Sequence, residues 1–405
     1  MSFLISLSGM NAASADLNIT SNNIANANTS GFKQSRGEFG DVFAVSAYGL
    51  SNNAIGAGAR LQRVAQQFAQ GNVDYTGKSL DMALSGQGFF TMSGGAGLSY
   101  TRAGNFGADR EGFVVNPAGQ RLQVFQPNAA GGFDAGRMGD LRLATGDSPP
   151  RATTNVDIGL NLPGNATAPT VAPFDAADPD SYSHTTSVQV YDSLGAPHSQ
   201  TMYFVKTANP NEWVMHTQVD GIDVGGPQTL QYSDTGALVT PAGGDIVLPP
   251  HTPPGGAAPM ALTLDLSTST QYGDRFGVSA LVQDGHETGR LSSIEVSSEG
   301  VVSARYSNGV STPLGQVVLT NFANPQGLQP TGDNGWAETY ESGQARRGAA
   351  GTAEFGLVQG GALEASNVNL TEQLVNMITA QRNFQANAQM IQAQDQLTQT
   401  VINIR

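Results

Sequence analysis

Five histidines are the obvious candidates for acid–base or metal chemistry, and their spacing supports neither. His184, His198, His216, His251 and His286 all fall in one stretch of a 405-residue chain. No two have the close spacing that sets a pair of imidazoles on one helix face, and there is no HExxH. They read as scattered surface histidines. SGQGFF and GGAG contain glycines, but neither stands between a strand and a helix as a phosphate-binding loop requires, so both read as turns. There is no G-x-S-x-G, no Ser–His–Asp set and no carboxylate pair to divide the roles of acid and base. The chain has no cysteine, which excludes thiol catalysis, thiolate metal sites and disulfides. Asn165-Ala166-Thr167 fits a glycosylation triplet, a pattern common by chance. No catalytic, cofactor-binding or metal-binding residue is expected, and the chain does not read as an enzyme.

The residues that do concentrate are amides. NNIANANTSGFK, Asn22 to Lys33, puts Asn22, Asn23, Asn26 and Asn28 into seven positions. Asparagine is a mediocre helix former because its side chain competes for nearby backbone groups. The run directly follows a helical pattern. It is expected to end that helix, with Gly31 taking the left-handed turn. Its amides can bond backbone and neighbouring chains without burying a charge.

The elements that would position these amides are at the two ends of the chain. Phe3, Met10, Leu17 and Ile24 recur at seven-residue intervals, with the small residues Ser6, Ala13 and Thr20 between them. Small residues opposite large ones let two helices approach closely. From Ala362 to Arg405 there is neither Gly nor Pro. Within it Leu370, Leu374, Met377, Ile378, Phe384, Ala388 and Ile391 form an apolar stripe. After a slip the stripe resumes at Leu397, Val401 and Ile404. Asn369 followed by Glu372 reads as an N-cap with its partner three residues on. The spacing predicts one long C-terminal helix that pairs with the N-terminal one as a coiled coil. Only Asp16 is charged in the first thirty residues, and the last forty-two carry only Glu364, Glu372, Arg382, Asp395 and Arg405. A solvated coiled coil carries Glu and Lys beside its seam. Uncharged flanks suit helices with one side on the partner helix and the other on neighbouring subunits.

Between the helices the chain is full of turns. All twenty prolines lie between Pro117 and Pro330, fifteen of them between Pro149 and Pro259. GFFTM, SYTRAGNF, GFVVN and RLQVF read as short strands, as do SSIEVSSEGVVSARYSNG and PLGQVVLTNFAN. TSVQVYDSLG, QTMYFVKT and EWVMHTQVDG alternate as half-buried strands do. The expected architecture is multidomain and mainly β with α-helical termini. Residues 1–30 and 364–405 form the paired helices and 31–72 an extended connecting segment. A discontinuous β domain takes 73–147 and 287–363, and 148–286 are an inserted outer β domain.

The net charge of −14 argues against nucleic acid or anionic lipid as a partner. No apolar run reaches the length of a membrane span, so no membrane insertion is expected. MSFLISLSGMNAAS lacks a basic leader and a clear cleavage site, so any export is expected to use another route.

SGMNAASADLNITSNNIANANTSGFK resembles the N-terminal signature of the bacterial flagellar axial family of rod and hook proteins. KSLDMALSGQGFF with YTRAGNF resembles that family's first β-domain motif. GALEASNVNLTEQLVNMITAQRNFQANAQMIQAQDQL resembles its C-terminal signature. LGQVVLTNFANPQGL and GDNGW resemble the hook branch in particular, and together these cover roughly half the chain. The resemblance implies a subunit of a curved, hollow helical tube that transmits torque from the rod to the filament as a universal joint. It implies a homopolymer outside the cell, in the flagellum. The implied partners are the distal rod protein, a hook cap, the hook–filament junction protein and the flagellar type III export apparatus. It implies no cofactor. The expected self-assembly residues are Phe3, Met10, Leu17, Asn22, Asn23, Ile24 and Asn26 at one end. At the other they are Leu370, Leu374, Met377, Phe384, Ile391, Leu397, Val401 and Ile404. A distal rod protein is the alternative within the family, with the large insertion against it. A secreted carbohydrate-binding β protein or hydrolase is the alternative outside it, and it lacks a carboxylate pair or aromatic platform.

Overall fold

A computed structural model describes residues 2–42, 56–95, 97–128, 131–144, 146–352 and 354–403. The chain divides into two compact units. Residues 1–145, 293–304 and 311–405 make the first, and 146–292 with 305–310 the second. The chain is mainly β, with a helix at each end of the first unit. Among the described residues no helix is long and apolar enough to cross a membrane.

In the first unit helix α1 spans Ser2–Ala25. The asparagine run ends it in steps. Asn26 N–H still reaches back to Asn22 O, but Ala27 N–H bonds the nearer Ile24 O, which tightens the last turn. Gly31 then takes a φ of +71°. A Cβ there would stand 2.4 Å from the Ala103 nitrogen, so conformation and space both require glycine.

Helix α2 spans Leu370–Asn403 and is shorter than the breaker-free stretch suggests. Asn369 caps it, its Oδ1 accepting from Thr371 N–H at 3.1 Å and Glu372 N–H at 3.3 Å. The residues just before are not helical. Ala362–Glu364 is a strand that pairs antiparallel with Val73–Tyr75. Freedom from Gly and Pro permits a helix there, but the backbone groups find partners across a sheet.

The segment expected to be an extended connector also differs. Ser35–Asp41 and Ala59–Gln66 form an antiparallel two-stranded sheet with a register shift between Glu38 and Phe39. Its strands lie against α1. The Ile19 side chain comes within 3.0 Å of the Cβ position of Gly37, and Ala59 N–H donates to Ser8 Oγ.

The β body of this unit is built around Phe89–Gly94, which pairs antiparallel with Gly97–Thr101, with Arg121–Pro127 and with Leu319–Asn321. Its core holds Met82, Leu84, Phe90, Met92, Leu122, Val124, Val317 and Leu319. A second, aromatic cluster joins Phe89, Tyr100, Phe322 and Trp336, with Phe68 edge-on to Phe89 and Trp336 at 5.5 Å.

The second unit packs two sheets on one core. Asn155–Pro163 is the central strand of one, parallel to Thr263–Asp265 and Thr270–Tyr272 and antiparallel to Gly277–Gln283. His184–Tyr191, Pro197–Lys206 and Glu212–Val219 run antiparallel in the other. Inward positions of Pro197–Lys206 are buried one after another while outward ones are not, the alternation a half-buried strand needs. Val156, Ile158, Leu160, Leu162, Phe204, Trp213 and Met215 fill the space between the sheets.

Candidate assembly site at the paired termini

Two contacts set the register of the helix pair. Asn23 Nδ2 donates to Gln373 Oε1 at 3.1 Å. A Cβ on Gly9 would lie 2.6 Å from Asn387 Oδ1, so the backbone of α1 and the side chain of α2 meet there. Going fourteen residues back along α1 corresponds to going fourteen forward along α2, so the helices are antiparallel. Counted from these contacts, Ser6, Ala13 and Thr20 come within one residue of level with Ile391, Phe384 and Met377.

Burial follows this register. In α1 the buried positions are Ser6, Ala13, Thr20 and Asn23, and the large residues Met10, Leu17 and Ile24 are half-buried beside them. Phe3 is exposed. In α2 the side facing α1 is Gln373, Met377, Ala380, Phe384, Asn387, Ile391 and Gln394, at alternating spacings of four and three. Of the expected α2 residues, Met377, Phe384 and Ile391 are on this side. Leu370 and Leu374 are not, and both are exposed. Leu397 is exposed because α1 has ended: roughly nine residues of α2, or about 13 Å, run past Ser2. Val401 is in the helix with its side chain undescribed, and Ile404 is outside the described residues.

Part of α1 away from α2 is covered by its own chain's strand pair, while Leu4, Asn11, Asn18 and Asn22 stay exposed. The far side of α2 is different. Leu374, Val375 and Ile378 are 45%, 58% and 50% exposed, and with Leu370 they line the first turns away from α1. The heptad reading places residues on a stripe but does not say which stripe meets the partner.

The asparagines divide into one anchor and several local ties. Asn23 is almost fully buried. Its amide nitrogen donates to Ser35 O at 2.8 Å and its Oδ1 accepts from Ser35 N–H at 2.9 Å, a closed pair on one residue of the strand pair. With Gln373 it therefore ties α1, α2 and the strands together. Asn22 is exposed. Asn26 bonds Asn22 O and Thr29 Oγ1, within its own turn.

Beside this anchor is a buried ionic centre. Glu364 and Lys33 have no exposed side-chain surface and are 2.6 Å apart. The Glu364 carboxylate also accepts from Gly71 N–H at 2.9 Å and from Arg102 at 3.3 Å. Lys33 Nζ donates to Ala69 O at 2.7 Å, and Arg102 to Gly86 O at 2.7 Å. Burial pulls the Lys33 amine below its usual range, and the Glu364 carboxylate pulls it partly back. The same two causes act on Arg102. One carboxylate thus joins the chain leaving α1, the chain leaving the strand pair and the β body, just before α2 begins. Asn367 adds a second tie, accepting from Gln34 N–H and donating to Gln67 O and Ala69 O.

Lys33 and Glu364 are 331 positions apart, and sequence reading did not join them. The available signal was a lone Glu364 in a nearly neutral flank and Lys33 as the first charge after Asp16. The histidines are not simply scattered over the surface. His198 is buried, with Asp220 2.6 Å from Nδ1 and Asp192 3.4 Å from Nε2. His184 stacks on Phe276 at 4.5 Å and His216 on Phe174 at 4.0 Å. Among the described residues no group of three or more His, Cys, Asp or Glu is arranged to hold a metal ion.

Four family models match the chain. "Flagella basal body rod protein" matches residues 3–33 and "Flagellar hook protein FlgE/F/G D1 domain" 83–173. "Flagellar basal body protein FlaE D2 domain" matches 161–286 and "Flagellar basal body rod FlgEFG protein C-terminal" 359–404. The flagellar hook protein FlgE of Escherichia coli K12 is 38% identical over 415 residues, covering both chains completely. That of Borreliella burgdorferi is 33% identical over 438 residues, covering 98% of each. A crystal structure of Helicobacter pylori flagellar hook protein FlgE2 superposes with a TM-score of 0.54 at 15% identity, covering 72% of this chain and all of that one, which shows a shared fold. The helices paired at the two termini, the β units nested between them and these full-length matches place the chain in the flagellar hook protein family.

Proposed function

We propose that the chain is the structural subunit of a flagellar hook, polymerising into a curved hollow tube that carries torque from rod to filament as a universal joint. It is not an enzyme in this reading. The observation that carries it is the uncharged apolar strip Leu370, Leu374, Val375 and Ile378 on the side of α2 turned away from α1. Each half-exposed side chain is worth roughly 1 kcal/mol when a neighbour covers it. The strip and whatever it meets are different patches, and a repeated heterologous contact generates an open helical polymer. Residues 1–30 with 364–405 would form the inner assembly domain and 148–286 an outer domain whose contacts slide as the tube turns while bent. Subunits would leave the cell through the flagellar type III export apparatus and add at the tip under a hook cap. The rod protein would meet the tube at one end and the hook–filament junction protein at the other.

The test is assembly of purified chain, read by sedimentation and electron microscopy. Curved tubes from the unsubstituted chain and none from Leu374→Asp/Ile378→Asp are expected. Tubes from that variant at the usual concentration would contradict the role of the strip.

A further inference from the structure

Tyr340 is fully exposed, an unusual position for an aromatic ring. The loop that carries it is nevertheless well fixed. Ser342 is fully buried and its hydroxyl donates to Thr339 O at 2.8 Å. Asn324 grips the loop twice, with Nδ2 donating to Glu341 O at 3.0 Å and its backbone N–H to Ser342 O at 3.1 Å. Gly327 lies so close beneath that a Cβ would stand 2.5 Å from the Glu341 carbonyl carbon. A ring on a fixed mount loses little freedom on binding, which suits an interface anchor.

The same unit has a recess of about 290 Å³, walled by Thr29, Ser30, Asn116, Pro117, Ala118 and Asp333. That is at the small end for a ligand pocket, roughly 300–1,000 Å³, and suits one side chain better than a free molecule. Its walls are tied. Asn334 Nδ2 donates to Ser30 O at 2.9 Å, and the Thr101 hydroxyl donates to Asn334 O at 2.7 Å. Pro117 and Ala118 offer apolar surface for a ring. Asp333 is exposed and offers an acceptor for a phenol hydroxyl. Tyr340 is not among the residues that line the recess of its own chain.

We propose that Tyr340 of one copy of this chain seats in the recess of the next, its ring against Pro117 and Ala118 and its hydroxyl donating to Asp333. The inference rests on the self-assembly reading above. Knob and recess are different patches, so the contact repeats head to tail. It also touches the Thr29–Ser30 turn that follows α1, so it forms on a subunit whose helix is already docked.

The chain has no cysteine, which makes cross-linking clean. Tubes of Tyr340→Cys/Ala118→Cys are expected to oxidise to a ladder of covalent multimers, whereas either single variant stays monomeric on the gel. Tubes of the double variant that form but stay monomeric would overturn the seat and leave the assembly reading standing. Failure of the unsubstituted chain to polymerise would overturn both. If the cysteine pair impairs assembly, the critical concentration decides: about tenfold higher for Tyr340→Ala, with Tyr340→Phe in between. An unchanged concentration for Tyr340→Ala would overturn the proposal.

Discussion

The second unit and the paired termini are built on opposite terms. The second unit has a closed core of its own: both sheets turn apolar positions onto it, and Trp213, Phe204 and Ile158 are completely buried, although scattered residues such as Val247 and Leu194 stay exposed. The helix pair is unfinished. α2 leaves Leu374, Val375 and Ile378 to solvent, and its last turns pass beyond the end of α1. Burial holds the one region, while amides and a buried ionic centre tie the other to its β body. An element that is only half covered in its own chain gains its stability when neighbours arrive.

The largest expected effect separates the two regions completely. Leu374→Asp/Ile378→Asp should abolish polymerisation and leave the thermal unfolding of the second unit where it was. Next, Glu364→Ala would leave Lys33 and Arg102 buried without their counter-charge. Breaking such a pair costs about 3–5 kcal/mol, read as lost resistance to denaturant in the first unit only. Within the asparagine run the effects should be unequal. Asn23→Lys alone should block assembly, because it puts a charge into a buried site that ties three elements. Asn22→Lys, at an exposed position, should be tolerated. Normal tubes from Asn23→Lys would remove that residue from the anchor.

The smallest expected effect is a pH dependence confined to the second unit. Burial alone would lower the His198 pKa, but its bonds to Asp220 and Asp192 outweigh that and raise it above the usual 6.5. Asp192 and Asp220 are in turn held below the usual carboxylate range. A histidine raised on folding stabilises fully below its unfolded value, and loses that contribution as pH climbs through the folded one. The unit should therefore weaken as pH rises from about 6.5 through the raised folded value. His198→Asn should flatten the profile. An unaltered slope would remove the clamp from the account.

The two regions were also unequally legible in the sequence. Strand alternation in QTMYFVKT and EWVMHTQVDG is a local pattern with a direct structural meaning, since inward positions must be apolar. The seven-residue recurrence of Phe3, Met10, Leu17 and Ile24 is equally local. It says that α1 has a seam, yet the buried line is Ser6, Ala13 and Thr20 with the large residues beside it. Only the antiparallel contact with α2 decides that. The strand pair after α1 has seven- and eight-residue arms, but its apolar positions are few. The Lys33–Glu364 pair has no local signature at all. His198 was misjudged because both its carboxylates come from turns, Asp192 six residues before it and Asp220 twenty-two after.

The most direct test of the comparison is hydrogen exchange on the same chain as free subunit and as assembled tube. Amides of the second unit should be equally protected in both states, and those of α1 and α2 strongly protected only in the tube. Equal protection of the helices in the free subunit would contradict the claim that neighbours complete them.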